Sequence, residues 1–460
     1  MPSPSMINKL LACFVLIAAS VTSVRVAAQA PAERYRNELQ PLIEDFVHQQ
    51  QIPGFAIGVI QDDRLVYAHG FGVKNLVHNH DPVTPRSLFH MASITKTFVA
   101  TSIMQLVEAG RINLDTPVVQ YLPYFRVADD RYQTITVRQM VTHTSGMPDV
   151  GDNEWDKPQY DDGALERYVR SLSNQKLIFA PGTDFRYSNM AFEVLGDLIA
   201  KVSGESFDDY VQHHILTPLK MRDSTLLIKK TDPRLMTWGH ERDKDGHVFP
   251  SKVYPYNRMH SPSSNLHSNV EDMARWALAN LNHGELDGRR ILNEQTYDIM
   301  WKPAHKLSDS DGVGISWFLG EYRGQATVSH GGGDTGYATF LVLLPEKKIA
   351  VVFMANCDWA GKGRGQIAHA ALDVALGLKP QPIAVTPVHD NYTDSHSLYP
   401  GILGTVEWGF MPALPRVPTV QLWHSEVPTL AKVILPDAVQ RMDHGQIGSN
   451  ANGGGGIRAG

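Results

Sequence analysis

Ser93 and Lys96, in the stretch FHMASITKTFVA, stand three residues apart where a helix begins. At that spacing the side chains share one helix face, so the amine can approach the hydroxyl. A cation in a first turn faces the positive end of the helix dipole, and helix stability alone favours Asp or Glu there. The same dipole, together with burial, lowers a lysine pKa and readies the amine to accept a proton. Serine beside such a lysine is an activated nucleophile, and the helix start offers backbone N–H groups to an oxyanion. The pattern is not selective by itself. Ser173 and Lys176 in SNQK have the same spacing and read as a solvated helix end.

Two further stretches could join this chemistry. Tyr187 and Asn189, in YSN, follow the turn APGTDFR and precede a helix starting near Met190, a junction that presents a phenol to a cleft. A Ser188 or Asn189 cap with a half-buried tyrosine would produce the same letters. YRN at Tyr35 repeats the spacing, but among the first residues of the mature chain. In SHGGGDTGY, residues 329 to 337, His330 is followed by Gly331, Gly332 and Gly333 just before a strand. Three glycines there cost backbone entropy, which is hard to justify unless a ligand or another backbone comes close; a glycine-rich hairpin turn is the simpler alternative.

Taken in order, Ser-x-x-Lys, Tyr-x-Asn and His-x-Gly resemble the motif triad of serine β-lactamases and penicillin-binding proteins. The Tyr-x-Asn version resembles the class C β-lactamase branch, with its family VIII carboxylesterases, D-aminopeptidases and DD-peptidases. TVRQMVTHTSGMPD (136 to 149) and SNVEDMARW (268 to 276) support it, and the resemblance spans about residues 35 to 378. It implies an α/β (α+β) fold, an antiparallel sheet flanked by helices with a mostly helical inserted subdomain and the active site in the groove between them. It also implies that Ser93 is the nucleophile of an acyl-enzyme and that Lys96 and Tyr187 form a coupled proton-transfer pair. Asn189 would bind the acyl side of the substrate and help hold Lys96. His330, Gly331, Gly332 and Gly333 would line the substrate, with the N–H groups of Ser93 and Gly333 as the oxyanion hole. No metal or organic cofactor is needed. Two departures stand out: His330 replaces a lysine of the β-lactamases, which predicts weak or absent action on penicillins, and PSSN (262 to 265) replaces the Ala-Gly-Gly of many relatives.

The elements that must position these residues are legible as patterns. FAIGVIQDDRLVYAHGFG (55 to 72) reads as a hairpin turning at Asp62 and Asp63, and ATFLVLLPEKKIAVVFMAN (338 to 356) as another turning at PEKK. Hairpins at opposite ends of a chain suggest one antiparallel sheet closed by both. Between them, Ile94, Phe98, Ser102, Leu106 and Ala109 recur at helical spacing before Gly110; helices are also predicted over 190–204 and 269–284, each ended by glycine.

The 460-residue chain is 43% hydrophobic and 20% charged, with a formal net charge of -6. Such a chain buries a large core, and it has no Lys/Arg-rich run to meet nucleic acid or an anionic membrane. Small esters, amides or peptides remain as partners, and the oligomeric state is open. Lys9, the apolar run 10–21 and VRVAAQA have the layout of a secretory signal peptide cleaved after Ala28, which predicts a periplasmic or secreted hydrolase domain over 29–378 with no membrane span in the mature chain. Cleavage leaves Cys357 as the single cysteine and excludes an intrachain disulfide. From 379 to 460 a Pro-rich linker leads to a tail ending SNANGGGGIRAG. HNHD (78 to 81) reads as a polar loop rather than a metal site, and His213 and His214 as helical neighbours pointing apart. Against an esterase stand a DD-peptidase or D-aminopeptidase, a weak β-lactamase, and a non-catalytic scaffold of the same fold.

Overall fold

A computed structural model describes residues 32–78 and 80–384. The expected leader over 1–28, the unit Trp408–Gly460 and the tail from 385 onward lie outside the described residues. The eight strands β1 (Gly54–Gln61), β2 (Arg64–Gly72), β3 (His305–Lys306), β4 (Gly312–Val313), β5 (Phe318–Tyr322), β6 (Gln325–Asp334), β7 (Tyr337–Leu344) and β8 (Ile349–Ala355) make one sheet. Its order is β2-β1-β8-β7-β6-β5-β4-β3, and all of its pairings are antiparallel. Both hairpins form where the patterning places them. Asp62 and Asp63 take φ of 51° and 58° in the tight β1–β2 turn, the left-handed pair that such a turn requires. Val59 stands opposite Val351 where β8 pairs with β1, so the two ends of the described chain close one sheet.

The central strands are buried on both faces, and their side chains divide strictly by parity. Phe55, Ile57 and Val59 of β1, Phe340 and Val342 of β7, and Val351 and Phe353 of β8 enter one core. That core is covered by α1 (Gln40–Gln49) and by α5 (Arg364–Ala375). Ala56, Ile60, Leu341, Leu343, Val352 and Met354 enter the other. There they meet α2 (Thr95–Glu108), α3 (Asn189–Ser203) and α4 (Val270–Leu281), which belong to the helical segment inserted between β2 and β3. Close approach on this side depends on Gly58, since a Cβ there would lie 2.5 Å from Val270 Cγ1 at the start of α4.

Helix ends follow their local chemistry. The Ser188 hydroxyl accepts from Ala191 N–H to cap α3, which stops at Gly204 with φ +81°. α4 stops at Leu281, three residues before the expected glycine; His283 (φ 48°) and Gly284 (φ 91°) have already left the helix to start the next turn. His213 and His214 correct the expectation for adjacent helical residues. Their segment Gln212–Leu216 is a π-turn, and both rings reach one carboxylate, Glu205, each at 2.8 Å. Cys357 is buried and free.

Candidate active site

The nucleophile candidate sits on a strained turn. Residues Ala92–Ile94 form a 3-10 turn entering α2, and Ala92 takes φ 48°, a conformation that costs a non-glycine residue about 1–2 kcal/mol. Such strain persists only where neighbours over-determine it. Two hydroxyls hold it: Thr95 Oγ1 donates to Ala92 O (2.6 Å), and Thr339 Oγ1 of β7 donates to Met91 O (2.8 Å). Gly332 explains part of the glycine run. A Cβ at that position would stand 2.2 Å from Thr339 Oγ1 and 2.3 Å from Met91 O, so a side chain would force the strand off the nucleophile turn. Another backbone does come near, as the cost of the glycines suggested.

Lys96 lies on α2 with no exposed surface, and its Nζ donates to Ser93 Oγ at 3.1 Å and to Ser263 O at 2.8 Å. Burial pushes its pKa down to about 8, while the charges of Glu193, Asp149 and Asp334 pull in the opposite direction. A lysine close to neutrality beside a serine hydroxyl is the arrangement a general base requires. The Tyr187 ring centroid is 5.0 Å from Lys96 Nζ, and the Phe192 ring is 5.6 Å away. The three motifs that are far apart in sequence therefore converge: Tyr187 and His330 have ring centroids 6.4 Å apart, and His330 runs on into the glycines beside Ser93.

His143, from the THTSG stretch, explains how Tyr187 is held. Its backbone takes φ 58°, its Nδ1 accepts Ser188 N–H at 3.1 Å, and its ring stacks on Tyr187 at 4.2 Å. Burial and the Lys96 charge keep this imidazole neutral, with a pKa well below the usual histidine value. His330 is also buried, its Nδ1 2.7 Å from Gly331 O; burial first, then Lys96, lowers its pKa to about 3. It offers no cation where the β-lactamases of the resemblance carry lysine.

Asn189 is placed at the site, as the first residue of α3, with its N–H donating to Asp149 Oδ1 at 2.9 Å. Its expected grip on Lys96 is replaced: the second acceptor of the ammonium is the Ser263 carbonyl, from the PSSN stretch. Ser263 in turn donates from Oγ to Glu193 Oε1 at 2.5 Å, and His260 Nδ1 lies 3.0 Å from the same oxygen. Glu193 and Ser263 had no signal beyond an acidic letter on an apolar helix and an unusual PSSN; neither spacing nor composition joins residues 70 positions apart. Arg364 at the start of α5 carries no sequence signal either, and its Nη2 donates to Gly332 O at 2.9 Å. Gly331 and Gly333 continue β6, opposite Phe340 and Ala338 of β7.

The look-alike motifs lie elsewhere. Ser173 and Lys176 are exposed, and Tyr35 is buried on the opposite face of the sheet, donating to Gln61 Oε1 at 2.9 Å. In HNHD, Asp81 pairs with Lys74 at 2.9 Å. Among the described residues one group has metal-ligand proximity, the Asp243, Asp245 and His247 turn, which is largely exposed.

The chain is similar to known proteins over most of its described length. A family model described as Beta-lactamase matches residues 39–376. The chain is 27% identical over 368 residues to Penicillin-binding protein 4 of Amycolatopsis lactamdurans, covering 75% of this chain and 94% of that one. It is 25% identical over 331 residues to Protein flp of Staphylococcus aureus strain MW2, covering 70% of this chain and 63% of that relative's length. Among solved structures, the octameric penicillin-binding protein homologue from Pyrococcus abyssi is similar at a TM-score of 0.64 and 28% identity, over 75% of this chain and 78% of that one. With the matched model spanning the sheet, the inserted helices and all three motifs, the chain belongs to the beta-lactamase family, within the superfamily of serine β-lactamases and penicillin-binding proteins.

Proposed function

We propose that the protein is an exported serine hydrolase that acts through a Ser93 acyl-enzyme on small carboxylic esters or related amides. The observation that carries this reading is the 3.1 Å hydrogen bond from a wholly buried Lys96 to Ser93 Oγ. With Lys96 neutral, the hydroxyl proton passes to the Lys96–Tyr187 pair as Oγ attacks the carbonyl carbon. The tetrahedral oxyanion is received by the N–H groups of Ser93 and Gly333. The carbon–oxygen bond to the leaving group then breaks, the pair returns its proton to the departing alcohol, and water hydrolyses the acyl-enzyme by the reverse transfers. Because interacting sites share their protons as a unit, the base is assigned to the pair rather than to either member. No step needs a metal or cofactor.

Initial rates with p-nitrophenyl butyrate, for the wild type and Ser93→Ala side by side, test this. A rate lost with Ser93 supports it; equal rates in both, or none in either, overturn the esterase reading. A second reading, a DD-peptidase or D-aminopeptidase acting on cell-wall peptides, is favoured by the name of the Amycolatopsis relative that the chain covers over 94% of its length. Covalent capture of a fluorescent penicillin at Ser93 would favour it. The neutral, buried His330 argues against efficient β-lactamase action. Export is supported by the apolar run 10–21 followed by small residues, and cell fractionation with N-terminal sequencing of the mature protein tests it. A non-catalytic scaffold predicts no fluorophosphonate adduct at Ser93.

A further inference from the structure

The acyl-transfer mechanism uses Ser93, Lys96 and Tyr187 but leaves a buried carboxylate unexplained. Glu193 has no exposed surface, and it projects from α3 one turn after Asn189. Its Oε1 takes two contacts, from Ser263 Oγ at 2.5 Å and from His260 Nδ1 at 3.0 Å, while Oε2 has no hydrogen-bond partner. An incompletely paired carboxylate in a core is costly and calls for a reason. The reason lies one residue away. The Ser263 whose hydroxyl is tied to Glu193 is the same residue whose carbonyl accepts from Lys96 Nζ at 2.8 Å.

We infer that Glu193 is a positioning residue for the base: through Ser263 it holds the carbonyl that anchors Lys96, and it sets a carboxylate within that buried network. This rests on the acyl-transfer reading above. Removing the lysine's water shell weakens its hold on a proton, so without a counter-charge the amine would accept a proton from Ser93 but keep it poorly until the leaving group needs it. A carboxylate held at one remove, through a serine rather than in direct contact, favours the charged form without locking it in an ion pair. Of the charges that act on Lys96, Glu193 on α3 contributes most, ahead of Asp149 in the loop after THTSG and Asp334 at the end of β6. The remaining titratable neighbours are Tyr187 before α3, and the neutral His143 and His330, from that loop and from β6. On its far side Glu193 is faced by His260, whose ring packs edge-on to Tyr168 at 5.0 Å.

The test is the second-order rate at which a fluorophosphonate labels Ser93 between about pH 5 and pH 10, a range that brackets a perturbed lysine. It needs no knowledge of the natural substrate. In Glu193→Gln the amide keeps an acceptor for Ser263 but removes the charge, and the inflection moves to lower pH by about one unit, the scale of a close charge in a buried site. Any coupled pair whose deprotonation activates Ser93 shifts in the same direction. Ser263→Ala does the converse: the charge stays, the hydroxyl link is cut, and the plateau falls by about threefold or more, the scale of one lost hydrogen bond, with the inflection unmoved. A Glu193→Gln profile that is merely scaled down, with the wild-type inflection, overturns the inference while leaving the acyl-transfer reading intact. Absence of labelling in the wild type overturns both. Should Glu193→Gln fail to fold by thermal melting, Ser263→Ala decides: an unchanged plateau overturns the positioning role, and a lowered one supports it.

Discussion

The two cores on either side of the sheet are built to different ends. The one under α1 and α5 is largely apolar, with the Phe55 and Phe353 rings stacked at 5.4 Å and Phe340 5.9 Å from Phe353, and its buried acid, Asp373 of α5, is paired with Tyr322 and Arg323. The one under α2, α3 and α4 also holds Lys96, His143, Glu193 and His260, all with 1% exposure or less. There Glu193 Oε2 and His260 Nε2 lack hydrogen-bond partners. Each such group costs stability that an apolar side chain would not. The difference teaches a division of labour: one face stabilises the sheet, and the other holds a buried amine whose pKa burial pushes down to about 8.

That contrast can be broken from either side. The largest effect is expected at Ser93→Ala, which lowers the ester hydrolysis rate by about 10⁴-fold or more while the melting temperature stays near that of the wild type. On the opposite face Phe353→Ala, at a side chain with no exposure, costs about 3–5 kcal/mol in chemical denaturation and leaves the pH profile of the folded enzyme unchanged. Acid gives an intermediate effect. On the proposed acyl-transfer reading, Lys96, whose pKa burial pushes down to about 8, loses its proton before the Lys96–Tyr187 pair can act. Below that value the active fraction falls about tenfold per pH unit, so kcat/KM near pH 6 is roughly a hundredth of its plateau; a flat profile across this range would count against the pair as base.

Smaller effects sharpen the boundary between the two regions. Gly332→Ala forces a Cβ against Thr339 and Met91. It costs about 1–3 kcal/mol of stability and, on the proposal that Gly333 of the same strand supplies an oxyanion donor, depresses activity as well; a stability loss with normal kcat would separate the strand from the chemistry. The smallest change is expected at the rim. Glu166→Gln breaks the half-exposed pairs with Arg170 and Lys201 and shifts stability by less than about 1 kcal/mol, with no change in rate.

The parts of this protein that are legible in its sequence are those in which one stretch of chain dictates its own geometry. The β1–β2 and β7–β8 hairpins, the helix stop at Gly204 and the Ser93–Lys96 pair all depend on neighbours within a few residues. Reading fails where the partner comes from another segment. His213 and His214 look divergent until Glu205 is brought between them by the π-turn, and Asn189 looks like the lysine's holder until the Ser263 carbonyl arrives from a different helix. The convergence of Ser93, Tyr187 and His330 was available only through the resemblance of their motifs, since nothing in the spacing of residues 93, 187 and 330 fixes a distance.

By itself, then, the order of residues determined which side chains face which core, because strand parity and helical periodicity are local properties of the backbone. It also supplied a serine and a lysine one helical step apart. Only the tertiary structure decided that this lysine would titrate near 8 rather than as an ordinary surface amine. That value comes from the water excluded by three packed helices and a sheet, and from carboxylates carried in on separate elements, and a linear chain specifies neither until it has folded.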